Sequence, residues 1–181
     1  MKDYARVPGL IAVSDAVGET TLVVERERLS EAALYLRDRL DFNYLSDIAA
    51  VDYLGWGGDV AGSWGSADGR DLNVPYTLGS SLVAKPKPKR FSVSYHLLSL
   101  SDDPVRLRLQ TWLDDGEQVA SVVEIWPAAD WLEREVNDLM GIVFEGHPNP
   151  VRVLMPEDWE GHPLRKDYPV GGEPVRFSGE E

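Results

Sequence analysis

Cysteine is absent from the chain. That excludes disulfides, thiolate catalysis, Cys-ligated zinc and protein-held iron–sulfur clusters. Basic residues are scarce as well: 18 Lys and Arg stand against 31 Asp and Glu, for a net charge of −13. With so few cations to replace counterions, nucleic-acid binding is a poor fit. No apolar run approaches the length of a membrane helix, about eighteen residues or more, and the start MKDYARVPGLIAV lacks the apolar core of a signal peptide. The expectation is a soluble protein of the cytoplasm, whose attachment to any membrane complex is left to another subunit. Serine chemistry lacks a GxSxG elbow, zinc-protease chemistry lacks HExxH, and nucleotide binding lacks both a strand-GxGxxG-helix unit and the phosphate-loop lysine.

What is present suffices for a core. With 181 residues and 43% hydrophobic composition, one domain with some decoration is expected. TLVVERERLSEAALYLRDRL reads as a strand, Leu22 to Val24, turning into a helix. Ser30 is a plausible N-cap, and Leu29, Ala33, Leu36 and Leu40 recur at helical spacing. In FNYLSDIAAVDYL, Ile48 and Val51 suit either helix or strand, and the aromatic and β-branched residues favour strand. RFSVSYHL puts Phe91, Val93, Tyr95 and Leu97 on one face and Ser92, Ser94 and His96 on the other. VRLRLQTWL places Val105, Leu107, Leu109 and Leu113 inward and Arg106, Arg108 and Gln110 outward, and VASVVEIW reads as a further alternating strand. Short links around Asp102–Pro104 and Asp114–Gly116 favour antiparallel neighbours. A last helix runs from about Trp131 to Met140, opened by Asp130 and Glu133 at capping-box spacing and stopped by Gly141. The fold class is α/β (α+β): a two-layer sandwich with a mixed or mainly antiparallel sheet, helices on one face, and an extended C-terminal arm.

Residues 1–140 form the sheet domain in this reading, with a Gly-rich insertion at about 55–81. Trp56 and Trp64 lie in that insertion and suit either a local cluster or a protein contact. Residues 141–181 hold six of the twelve prolines yet carry Ile142, Phe144, Val153, Leu154, Met155, Trp159 and Leu164, too many apolar groups for a free linker. The arm is expected to lie against something.

Gly-His-Pro occurs twice in it, fifteen residues apart. His147 and His162, with Glu145, Glu157, Asp158, Glu160 and Asp167, offer donors for zinc or iron, but neither histidine has a second ligand at helical spacing. Structural hydrogen bonds in turns are the stronger reading. A carboxylate pair fares no better, because Glu133 and Glu135 are two apart on a helix and point in different directions. Glu135 reads as a partly buried carboxylate paired with Arg152 or Arg165, and Arg134 and Asp138 as a pair outside.

Two blocks, WLEREVNDLMGIVFEGHP and EDWEGHPLRKDYP, closely resemble the family of the C-type subunit (the 30 kDa-type subunit) of respiratory complex I, NADH:quinone oxidoreductase. The matching positions are Glu133, Arg134, Glu135 and Asp138, then Gly146, His147 and Pro148. They continue in the run Gly161, His162, Pro163, Leu164, Arg165, Lys166, Asp167, Tyr168 and Pro169. Asn137 departs from the family, which has an aromatic residue there. The resemblance implies a non-catalytic structural and assembly subunit of the hydrophilic arm, without catalytic residues, cofactor or metal of its own. It implies docking to the D-type subunit, the large quinone-site subunit that helps form the quinone cavity, beside the other hydrophilic-arm subunits. It also implies a peripheral place on the cytoplasmic side of the cell membrane, in a complex that couples electron transfer from NADH to quinone to proton translocation. Ferredoxin-dependent photosynthetic-type complexes and membrane-bound hydrogenases carry equivalent subunits, which these motifs do not separate. A free-standing small hydrolase is the remaining alternative. Arg165 is expected to clamp a carboxylate, of the partner or of Glu135.

Overall fold

Alternating side chains along two long strands lead to the architecture of the computed structural model, which describes residues 3–56, 87–101 and 103–169. The chain opens with a hairpin of β1 (Leu10–Ala16) and β2 (Glu19–Val24), then passes through a 3-10 turn at Arg26–Arg28 into α1 (Leu29–Leu40). Next come β3 (Tyr44–Asp52), β4 (Phe91–Ser99), β5 (Val105–Leu113), the short β6 (Val119–Ala120), α2 (Ala129–Met140) and β7 (Phe144–Glu145). The main sheet has the order β1-β2-β5-β4-β3. Its neighbours are antiparallel except β2 and β5, which run parallel because α1, β3 and β4 intervene before the chain returns. This is the expected α+β sandwich with a mixed sheet.

One face of the sheet makes the core. Phe91, Val93, Tyr95 and Leu97 of β4 register with Leu113, Thr111, Leu109 and Leu107 of β5, all buried. Leu22 and Val24 of β2 extend that layer, and Leu29, Ala32, Ala33 and Leu36 of α1 cover it together with Ala129, Val136 and Met140 of α2. The inward Thr111 hydroxyl donates to the Val24 carbonyl at 3.2 Å, so its polarity is satisfied inside the layer. Trp126 also belongs to the core, and its indole N–H donates to the Phe42 carbonyl at 3.1 Å.

Several local expectations are corrected. Ser30 is not a cap: α1 starts at Leu29, because the preceding 3-10 turn delivers the chain already wound and Leu29 is buried. Asp130 is not a cap either. α2 begins at Ala129, and Glu133, freed from a capping box, turns toward β6. VASVVEIW leaves strand geometry after Ala120, since the Val122 carbonyl accepts from the N–H groups of Ile125 and Trp126 at 2.9 and 2.8 Å and closes a turn. β6 therefore does not continue the sheet beyond β5. It pairs in parallel with β7, Val119 opposite Phe144. On the outer face of β4, Ser92 and Ser94 are buried and His96 is partly open. β1 had no counterpart in the sequence reading. Asp102 and residues 57–81, with Trp64, lie outside the described residues. Trp56 is described, half-exposed and edge-on to Tyr53 at 5.8 Å, and Tyr53 in turn meets Trp112 at 5.3 Å.

Candidate functional site

α2 carries two carboxylates into buried positions, where each must find donors. Helical phase puts Glu133, rather than Glu135, on the face shared with Val136 and Met140. Glu133 is fully buried; its Oε1 accepts from Val122 N–H at 2.7 Å and its Oε2 from the Ser121 hydroxyl at 2.7 Å. These bonds tie α2 to the segment following β6. Burial raises the Glu133 carboxyl above its ordinary range, against the two hydrogen bonds and the nearby His147.

His147, of the first Gly-His-Pro, lies beside this pair with its side chain only 2% exposed. Its Nδ1 accepts from Asn149 N–H at 3.0 Å, so the proton sits on Nε2, which donates to the Asp130 carbonyl at 3.1 Å. The ring fixes the start of the arm to the first turn of α2. Gly146 and Pro148 flank it on the surface, Gly146 with a positive φ of 82°.

Asp138 does the same work at the other end of the helix. Its Oδ2 accepts from three successive backbone N–H groups, Val153, Leu154 and Met155, at 3.1, 2.9 and 2.9 Å, and its Oδ1 from Arg152 Nη1 at 2.8 Å. Burial pushes its carboxyl upward, but the three N–H groups and Arg152 outweigh it and hold the group below the usual range. Arg134 is not its partner. Its Nε donates to the Val151 carbonyl at 2.8 Å, and its guanidinium lies over the Trp131 ring at 4.6 Å. Glu135 is exposed and forms no ion pair among the described residues; Arg152 serves Asp138 instead. Asn137 donates to the Ile142 carbonyl at 3.0 Å and so ties the chain where it leaves the helix.

The second Gly-His-Pro closes the end of α2. Gly141 takes a left-handed φ of 70°, and a Cβ there would meet the His162 ring at 2.6 Å. His162 Nδ1 lies 2.8 Å from the Asp138 carbonyl and Leu164 N–H donates to the Leu139 carbonyl at 3.0 Å, two acceptors that a helix end leaves open. Gly161 allows the Tyr168 ring to approach within 2.8 Å of where a side chain would start. Pro163 directs the chain between these contacts, and Pro169 ends the described arm.

Beyond that turn the arm meets the end of the sheet. Arg165 Nη2 binds Asp115 at 2.6 Å, its Nε reaches Asp167 at 3.3 Å, and its guanidinium covers Phe91 at 5.2 Å. Arg90 bonds Asp52 through Nε at 3.1 Å and Nη2 at 2.9 Å, and also contacts Asp115 and Asp167 at 3.0 and 2.9 Å. Asp52, with a wholly buried side chain, accepts in addition from Leu54 N–H and Lys166 N–H, both at 2.9 Å. Arg165 is thus paired inside the chain, with neither Arg165 nor Arg152 near Glu135 as a partner. Asp52, Arg90 and Asp115 escaped the sequence reading. The available signal was an aspartate at an inward position of β3, opposite Phe91.

Glu133, Asp138 and Asp52 are each bonded to backbone N–H of another segment, which suits holding backbone rather than moving protons. Among the described residues no group of three His, Asp or Glu could hold a metal ion. The same segment turns apolar side chains to solvent: Trp131, Val143, Val151, Leu154, Trp159 and Leu164 are all exposed.

Residues 22–174 match the family model described as respiratory-chain NADH dehydrogenase, 30 Kd subunit. The chain is 39% identical over 180 residues to the C-type subunit of the NADH-quinone oxidoreductase of Acidothermus cellulolyticus, covering 97% of this chain and 78% of that one. It is 40% identical over 166 residues to the corresponding subunit of Salinispora arenicola, where it spans 91% of itself but 56% of the longer relative. Among solved structures it is similar to the trypsin-resistant fragment (1-134) of Nqo5, at 31% identity and a TM-score of 0.56, covering 76% of this chain and 88% of that one.

Proposed function

Since the chain belongs to the family of the 30 kDa subunit of respiratory-chain NADH dehydrogenase, the C-type subunit of NADH-quinone oxidoreductase, we propose that it serves that complex as a structural, non-catalytic subunit. In this reading residues 1–140 are the body and residues 141–181 the arm that docks on the D-type, quinone-site subunit. The other hydrophilic-arm subunits are further neighbours. The assembled enzyme passes electrons from NADH to quinone and translocates protons, with this subunit peripheral on the cytoplasmic face of the membrane. Attachment to the membrane runs through other subunits, in keeping with the finding that no described helix is long and apolar enough to cross one.

One observation carries the reading. The signature's buried carboxylates, Glu133 and Asp138, are bonded to backbone N–H groups of this chain, while Trp131, Val143, Val151 and Leu154 of the same region are exposed. An active site would reverse that arrangement, with free acids facing a cavity. A scaffold needs rigid charges inside and apolar area outside. Affinity purification of the tagged chain from gently solubilised membranes tests it. Recovery of the quinone-site subunit and its neighbours with NADH:quinone activity is expected; recovery of soluble proteins alone, or activity of the isolated chain, would overturn it.

A further inference from the structure

The arm places two cations side by side, Arg165 and Lys166, in a chain with a net charge of −13, and the fold treats them in opposite ways. Arg165 is turned in, with its side chain 17% exposed, against Asp115, Asp167 and the Phe91 ring. Lys166 gives the body only its backbone N–H, to Asp52 Oδ2 at 2.9 Å. Its residue is exposed, and its ammonium forms no hydrogen bond or ion pair among the described residues. Two positions earlier the pattern repeats without charge. Leu164 N–H is bonded to the Leu139 carbonyl at 3.0 Å, and the leucine is 55% exposed. Backbone bonds at 164 and 166 thus hold the chain against the body while both residues stay exposed, Leu164 at the edge of the groove between β3 and α2.

The brace behind them is rigid. Asp52 is held by two nitrogens of Arg90, and Arg90 also reaches Asp115 and Asp167. Bonding of this density keeps the Lys166 backbone in one place, so the backbone that carries the ammonium and the leucine side chain is already ordered and only side-chain freedom is left to lose on contact. An apolar group beside one cation selects a segment carrying an apolar side chain next to a carboxylate. Within the docking reading above, on which this inference rests, we propose that Leu164 and Lys166 are the contact strip of the arm. The strip takes a carboxylate-bearing apolar segment of the quinone-site subunit. Arg165 and Asp167 only position it.

The test uses the full-length chain and the purified quinone-site subunit, with binding titrated at low and high salt. Lys166→Glu is expected to weaken binding by about tenfold or more, equivalent to about 1.4 kcal/mol, with the melting temperature of the isolated chain unchanged. Lys166→Arg retains most of the affinity, and wild-type binding weakens with salt more than that of Lys166→Glu. Leu164→Ser weakens binding with little salt dependence. Arg165→Lys lowers the melting temperature of the isolated chain, as loss of a two-carboxylate fork requires. If Lys166→Glu binds within about twofold of wild type, below roughly 0.4 kcal/mol, the strip is wrong although the docking reading stands. If the wild-type chain fails to bind the quinone-site subunit at all, the docking reading falls and the strip with it.

Discussion

Glu133 and Asp138 sit on one helix and are both buried, yet their surroundings push them in opposite directions. Asp138 is surrounded by donors and held below its ordinary range; Glu133 has fewer and is raised by burial. Removing the Asp138 side chain leaves Arg152 and three N–H groups of the arm without an acceptor. Asp138→Ala should therefore cost about 3–5 kcal/mol in urea unfolding, and Asp138→Asn nearly as much, since its amide turns a donor toward other donors. A loss below about 1 kcal/mol, the worth of a single ordinary hydrogen bond, would contradict the assignment. The pH dependence follows from the two signs. Asp138 binds its proton more weakly folded than unfolded, so its stabilisation is present above the unfolded value of about 4 and is lost as pH falls through the lower folded value. Glu133 binds its proton more tightly folded, so its contribution is full below about 4.3 and is lost as pH rises through the raised folded value. From pH 7 downward the melting temperature should first rise and then fall below about pH 4. Glu133→Gln keeps an acceptor for Val122 and should flatten the upper limb alone; an unaltered slope would remove Glu133 as its cause.

At the scale of elements, the arm is not separable at the end of α2. Ile142 and Phe144 are buried in the core, and Phe144–Glu145 supply β7 to the small second sheet. A cut after Gly141 opens the core, whereas a cut after Pro150 keeps those residues and the His147 contacts. The 1–150 chain should remain folded by circular dichroism, with lower stability because Asp138 loses its N–H partners, and should no longer bind the quinone-site subunit. Binding equal to that of the full chain would place the docking surface on the sheet domain instead. The legibility of the elements divides in the same way. β4 and β5 announced themselves by alternation, β3 by its aromatic and β-branched residues, and Gly141 as a helix stop by its chemistry. The caps at Ser30 and Asp130 misled because neighbouring backbone, already turning, started each helix before the capping residue was reached.

For the whole molecule, an acidic sheet domain with a strapped arm fits a component held by partners. The purified native chain is expected to carry no stoichiometric metal, flavin or cluster, as elemental analysis and an absorption spectrum would show. About one tightly bound transition metal per chain, in a protein without cysteine, would direct attention to His147 and His162. The family was legible in the chain itself, because two long blocks, one across α2 and the start of the arm and one within the arm, agree with it in order and spacing. The partners of the charged residues in those blocks were not. Glu135, expected to be partly buried, is exposed, and Arg134 and Asp138, expected to pair, turn to different groups.

Short-range features were readable in the amino-acid order alone: strand faces, the positions where glycine and proline turn the chain, and the chemistry excluded by missing cysteine. Motif order carried the family in the same way. Which charge meets which was settled by packing in three dimensions. Asp52 and Arg90 are 38 residues apart and Arg165 and Asp115 are 50 apart. A charged pair in contact across such a separation leaves no local period, because its geometry is set by packing of the sheet end against the arm rather than by either segment alone. Helical phase is nearly as unforgiving: whether Glu133 or Glu135 enters the core turns on where α2 lies against β6, a matter of about 200° between positions two apart.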